Sequence, residues 1–196
     1  MFTILMTALL AMAPSNMELA EDAIILALQE LPDNLHSYGT DNIQIEILGE
    51  QSGNWFIEQT ISSVLHDNGI SVVQRGIDLD SSSLLLKVRP MELVVEYGDV
   101  SRPWIIGTKR VDRIAKCELS FTLYDDDGSI LMTLRTSGVE EDMISWSDAE
   151  VLSGSEEWDW LSGSMPENRG GGILEPIIVS GVVASLVYLF YSSRAE

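Results

Sequence analysis

The residues able to do chemistry are few and scattered. The chain has two histidines, His36 and His66. His36 falls in a stretch that reads as a loop. His66 falls on the polar side of a helix end, where it favours the negative pole of the helix dipole. Neither stands at ligand spacing from a second histidine, cysteine or carboxylate, so no zinc site is expected. Asp125-Asp126-Asp127-Gly128 has the acid density of a calcium loop, but EF-hand spacing needs an oxygen ligand at position 123, which is Leu123. It reads as a solvated hairpin turn whose Asp-Gly pair tolerates positive φ. The single cysteine, Cys117, alternates with Leu119, Phe121 and Leu123, which places it on a buried strand face as an inert residue. No phosphate-cradling P-loop, Gly-x-Gly-x-x-Gly or Gly-x-Ser-x-Gly motif occurs. Carboxylate pairs such as Glu140-Glu141 single out nothing in so acidic a chain. No catalytic residue, metal ligand or cofactor is expected, and the chain reads as a non-enzyme.

What remains is aromatic. Glu156-Glu157-Trp158-Asp159-Trp160-Leu161 sets two tryptophans among acids. Exposed, Trp158 and Trp160 would anchor a partner protein, since aromatics dominate binding hot spots. The competing reading folds both rings back onto an uncovered sheet face or edge. Trp104, between Pro103 and Ile105, is a further candidate contact.

The net charge is −20. This argues against nucleic acid or anionic lipid as a partner of any broad surface. Arg102, Lys109, Arg110, Arg113 and Lys116 gather five of the eleven basic residues into one stretch. Positions 136–168 carry none, but hold Glu140, Glu141, Asp142, Asp148, Glu150, Glu156, Glu157, Asp159 and Glu167. Mutual neutralisation of the two regions is the simplest expectation.

The elements that must position these residues follow from periodicity. Asn16 is expected to cap a helix over 17–31 that Pro32 stops, with Leu19, Ala20, Ala23, Ile24, Ala27, Leu28 and Leu31 as its stripe. A loop follows over 32–41. Ile43, Ile45 and Ile47 alternate with polar residues as a half-buried strand. Asn54 is expected to cap a helix reaching Asn68, with Gly69 as its stop and a strand over 70–74 after it. The stretch 84–97 reads as a long strand whose inward set slips from Leu84, Leu86 and Val88 to Met91, Leu93, Val95 and Tyr97 at Pro90, as a bulge requires. A hairpin is expected over 113–124 and 129–137. After Val139 the pattern decays, with a short helix expected over 143–152. The fold class expected is α+β: a single domain with a strand–helix–strand unit and a mainly antiparallel sheet of about five strands, plus a C-terminal transmembrane helix.

Both ends carry apolar runs. Pro176 to Tyr191 has no charge, and Tyr188, Phe190 and Tyr191 gather where an interfacial aromatic belt would lie. Sixteen helical residues span about 24 Å, and extension back to Ile173 gives about 28 Å, close to a hydrocarbon core. Residues 173–191 therefore read as a membrane-spanning helix. Within it, Ser180 and Ala184, and Gly181 and Ser185, are small residues four apart, as close helix packing and a homo-oligomer would use. Residues 1–13 have the apolar length and the Ala11-Met12-Ala13 ending of a signal peptide. The expected order is thus signal peptide 1–13, extracytoplasmic domain 14–152, acidic Gly/Ser-rich stalk 153–172, membrane helix 173–191 and a short cytoplasmic tail 192–196.

The order of elements over 43–137 resembles bacterial envelope accessory domains: penicillin-binding-protein activators, curli-secretion-type lipoproteins and transport auxiliary lipoproteins. The chain departs from them in lacking a lipidated N-terminal cysteine. The resemblance implies a non-enzymatic accessory or scaffold in an envelope assembly or transport complex. Its domain would be periplasmic, held at the inner membrane by a single pass and bound to a protein partner. The alternative is a C-tail-anchored cytosolic adaptor. An enzyme with a dispersed site stands third.

Overall fold

A computed structural model describes residues 13–39, 42–73, 84–102, 107–155, 158–161 and 163–166. Contacts divide the chain after Met165, and the architecture below is that of the part before the division. Among the described residues no helix is long and apolar enough to cross a membrane. The runs at 1–12 and 173–191 lie outside those residues.

Helix α1 spans Asn16–Leu28. Its cap is Ser15 rather than Asn16. The Ser15 hydroxyl accepts the Glu18 N–H at 3.1 Å, and the Glu18 carboxylate accepts the Ser15 N–H at 2.6 Å. This capping box satisfies two otherwise orphaned donors. The Ser15 backbone N–H is the chief cause that holds the Glu18 carboxyl below the usual carboxylate range, followed by the Ser15 hydroxyl. Pro32 opens a second helix, α2 (Leu31–His36), instead of beginning a loop. Proline is at no disadvantage in a first turn, where its missing N–H would have no partner.

Strand β1 (Asn42–Ile47), helix α3 (Asn54–Asp67) and strand β2 (Ser71–Val73) form the expected strand–helix–strand unit, with β1 and β2 parallel. The α3 cap is Gly53, and the Asn54 amide donates instead to the Gly49 carbonyl at 2.7 Å. Gly69 ends the helix at φ 80, a conformation that costs glycine nothing. Strand β3 (Leu84–Ser101) shifts register between Pro90 and Glu92 as its phase slip requires. Met91 is the extra residue of that bulge and is exposed, so it does not belong to the inward set. Strands β4 (Arg110–Tyr124) and β5 (Ile130–Ser145) make the hairpin. β5 runs six residues past Val139, and helix α4 begins only at Trp146 (Trp146–Ser155).

The sheet order is β2-β1-β3-β4-β5. β1 lies parallel to both β2 and β3, and β3, β4 and β5 are antiparallel. The fold is α+β with a five-stranded mixed sheet, and β1 makes it less antiparallel than expected. Its inner face carries Leu86, Val88, Leu93, Val95, Ala115, Cys117, Leu119, Phe121 and Leu123 against the stripes of α1 and α3. Among the described residues nothing packs on the other face, which bears the cross-strand ion pairs Lys87–Glu46, Lys116–Glu96 and Arg135–Glu118.

Candidate functional site

The aromatic motif folds onto the edge of β3. β1 pairs with β3 only as far as Val88. Beyond Pro90 that edge is met by the segment after α4: the Val95 N–H donates to the Trp160 carbonyl at 3.0 Å. Leu161 is fully buried in the core. The Trp160 ring stacks on Phe56 of α3, with centroids 5.5 Å apart and planes inclined by 29°. It also crowds Gly53, where a Cβ would stand 3.1 Å from Leu93 Cδ2 and 3.3 Å from Trp160 Cε2. Burial leaves the Trp160 indole N–H without a hydrogen-bond partner. Trp160 is thus a wedge between α3 and the sheet.

Trp158 lies further out and is half-buried. Its ring meets Trp55 at 6.0 Å, tilted by 51°. Trp55, in the first turn of α3, is 43% exposed and also tilts against Phe56 at 5.6 Å. Four rings therefore touch in the order Trp160, Phe56, Trp55, Trp158, with Phe56 the buried member and Trp55 the exposed one. Trp55 is the member that motif reading missed. Its signal was available: it stands off the Ile57, Ile61 and Leu65 stripe of α3, so the helix cannot bury it against the sheet. The structure brings Trp55, Trp158 and Trp160 together. Trp104 and the helix-packing positions Ser180, Gly181, Ala184 and Ser185 lie outside the described residues.

A second polar constellation sits under the start of α1. Arg113 is fully buried. Its Nε and Nη2 donate to the two oxygens of Asp142 at 3.0 and 2.6 Å. Nη1 donates to Asn16 Oδ1 at 2.7 Å, and Nη2 also donates to the Pro14 carbonyl at 2.8 Å. Asn16 Nδ2 donates to the Leu161 carbonyl at 2.9 Å, and the Tyr97 hydroxyl donates to Asn16 Oδ1 at 3.1 Å. The guanidinium ties β4 to β5 and to the start of α1, and Asn16 extends the network to β3 and the segment after α4. With four of its donors spent inside the protein, Arg113 acts as a clasp rather than an anion site.

The remaining chemical candidates resolve into structural roles. Asp125 Oδ1 accepts the N–H groups of Asp127 and Ser129 at 3.1 and 2.7 Å, and Gly128 takes φ 79, so the acidic triplet is a turn. Among the described residues no group of His, Cys, Asp and Glu could hold a metal ion. His36 Nε2 lies 3.1 Å from the Asn68 carbonyl, joining the ends of α2 and α3. Burial pushes the Cys117 thiol up to about 12.

No protein-family model matches the sequence, and no curated protein sequence matches it. Among solved structures the chain is similar to a minor lipoprotein from Acinetobacter baumannii, with 11% identity and a TM-score of 0.35 over 53% of this chain and 70% of that one. It is also similar to a lipoprotein from Neisseria meningitidis, with 14% identity and a TM-score of 0.30 over 75% of this chain and 98% of that one. These likenesses are slight, and the function proposed next does not rest on them.

Proposed function

We propose that this chain is a non-enzymatic accessory or scaffold domain of the bacterial cell envelope. In this reading it is exported, held at the inner membrane by the helix over 173–191, and docks a protein partner through Trp55 and Trp158. The observation that carries the docking is the exposure of Trp55 beside Trp158. Two indoles sharing a solvent-facing edge leave much apolar area in water, and a partner that covers them gains it. Trp160 supports the pair from behind. The charge-free run over 176–191 supports the membrane anchor, and the apolar run over 1–13 supports export.

The docking test is the double variant Trp55→Ala, Trp158→Ala. A photo-crosslinking residue placed at Glu58 should yield one discrete protein adduct in cells, lost in the double variant, while the purified variant still melts in one cooperative transition above the growth temperature. An adduct that survives the double variant removes these rings from the interface. Topology is read separately, by protease treatment of cells whose outer barrier has been opened. A digested body with a protected tag after Glu196 is the expected result. A body that resists until the inner membrane is lysed moves the protein to the cytosol.

A further inference from the structure

The outer edge of β5 is a long strand edge to which the proposed function assigns no role. β5 ends the sheet, and among the described residues no strand pairs with its far side. The Trp146 N–H donates to the Lys109 carbonyl at 2.9 Å, and this fixes the phase of the ladder. Even-numbered residues of β5 bond to β4, and odd-numbered residues turn their N–H and C=O outward. The Leu131 carbonyl obeys this phase, accepting the Tyr38 hydroxyl at 3.0 Å from outside the ladder. From Met132 to Ser145 the register has no shift, and the strand carries no proline. That is about 46 Å of regular edge at 3.3 Å per residue. Between Met132 and Ser145 no bulge or proline blunts the edge, and the protection it does carry is charge: Glu140 lies on the inward side opposite Ala115 and repels an apolar or acidic strand.

What can sit beside α1 there is limited by charge. Gly138 lies directly beneath α1: a Cβ there would stand 2.0 Å from the Ala23 carbonyl oxygen and 2.6 Å from the Ala27 nitrogen. The helix therefore rides over β5 itself. The helix packs on β4 as well as on β5. A second copy would bring a second net charge of −20 to this edge, whereas a lone extended segment can carry the opposite sign. Glu140 and Glu141 lie on the strand beside Asp142, whose carboxylate Arg113 already holds. Its one basic residue, Arg135, is held by Glu118. The Ser145 end opens into a cleft of about 580 Å³ whose lining includes Asp148, Arg110 and Met143. On the open face, Val139 and Met143 are exposed on either side of Glu141.

We propose that the outer edge of β5 takes an added strand from a partner protein, an extended segment in which apolar residues alternate with lysine or arginine. Main-chain hydrogen bonds to the outward groups of Thr133, Arg135, Ser137, Val139, Glu141 and Met143 hold the strand. Its cations meet Glu141 where they lie on the open face and Glu140 where they lie on the other, and the net charge of −20 draws them to the edge. The site is separate from the tryptophan pair.

The test uses the full chain in detergent and a fluorescent, acetylated peptide of alternating valine and lysine, read by anisotropy. The peptide binds, and one of alternating valine and glutamate does not. In a strand the N–H direction alternates with the side-chain face. N-methylation of every second peptide nitrogen therefore abolishes binding in one phase and spares it in the other. Ser137→Pro removes one outward N–H without touching the β4 ladder and weakens binding by about tenfold. Equal binding of the two methylated peptides would show attraction by charge alone and overturn the proposal. So would unchanged binding to a folded Ser137→Pro protein. Where that variant does not fold, the methylated pair decides.

Discussion

Arg113 shows how a single side chain can fix the junction of several elements. Its charge lies out of water, and only Asp142, Asn16 and the Pro14 carbonyl repay that desolvation. Arg113→Ala leaves Asp142 unmatched and frees the start of α1. The expected loss is about 3–5 kcal/mol, read by urea unfolding. Lysine cannot reproduce the two-pronged contact, so Arg113→Lys should recover only part of it. Cys117 gives a prediction in pH. Its folded pKa is raised from 9.0 to about 12 by burial, which favours the neutral thiol. The stability that follows is fully present below about pH 9 and is lost as pH climbs towards 12. Native protein should therefore resist iodoacetamide at pH 8 and react only at the rate of global unfolding. Rapid labelling of folded protein would contradict the burial of the thiol.

At the scale of elements, what the sequence made legible was periodicity, and what it hid was context. The strand–helix–strand unit, the slip at Pro90 and the Asp-Gly turn could all be read, because each is written in neighbouring residues. The far half of β5 could not. Glu140, Glu141 and Asp142 break the apolar alternation, and only the distant Arg113 explains why an acid is tolerated on the inner face. The α1 cap was legible but overlooked: Ser15 and Glu18 have the spacing of a capping box, and Asn16 beside them is employed in the core. Ser15→Ala should cost about 1 kcal/mol. Gly138 was silent in sequence, since nothing local demands a glycine there. Gly138→Ala drives a methyl into the backbone of α1, and backbone cannot rotate away. A loss of about 1–3 kcal/mol or more is expected. Gly154, inside α4, meets nothing within 4 Å. Gly154→Ala, in the last turn of that helix, should instead be neutral or stabilise by up to about 0.5 kcal/mol. Thermal melts of the two variants side by side separate a glycine kept for space from one that merely weakens a helix.

For the whole molecule the governing quantity is a net charge of −20. Self-repulsion among so many carboxylates disfavours the compact state. Against it stand the open-face pairs Lys87–Glu46, Lys116–Glu96 and Arg135–Glu118. All three are solvated, and exposed pairs of this kind contribute little to stability. Salt screens both effects, with a Debye length of about 10 Å at 0.1 M. The pairs are few and close, so their loss on screening is small and soon complete. The repulsions are many and act over longer distances, so their relief is larger. Sodium chloride should therefore raise the Tm of the folded chain steadily over the first few hundred millimolar, and Arg135→Ala should leave the slope of that rise nearly unchanged. A Tm that falls with salt would mean that the cross-strand pairs outweigh the general repulsion, and the open face would then be an ion-pair lattice on which the fold depends.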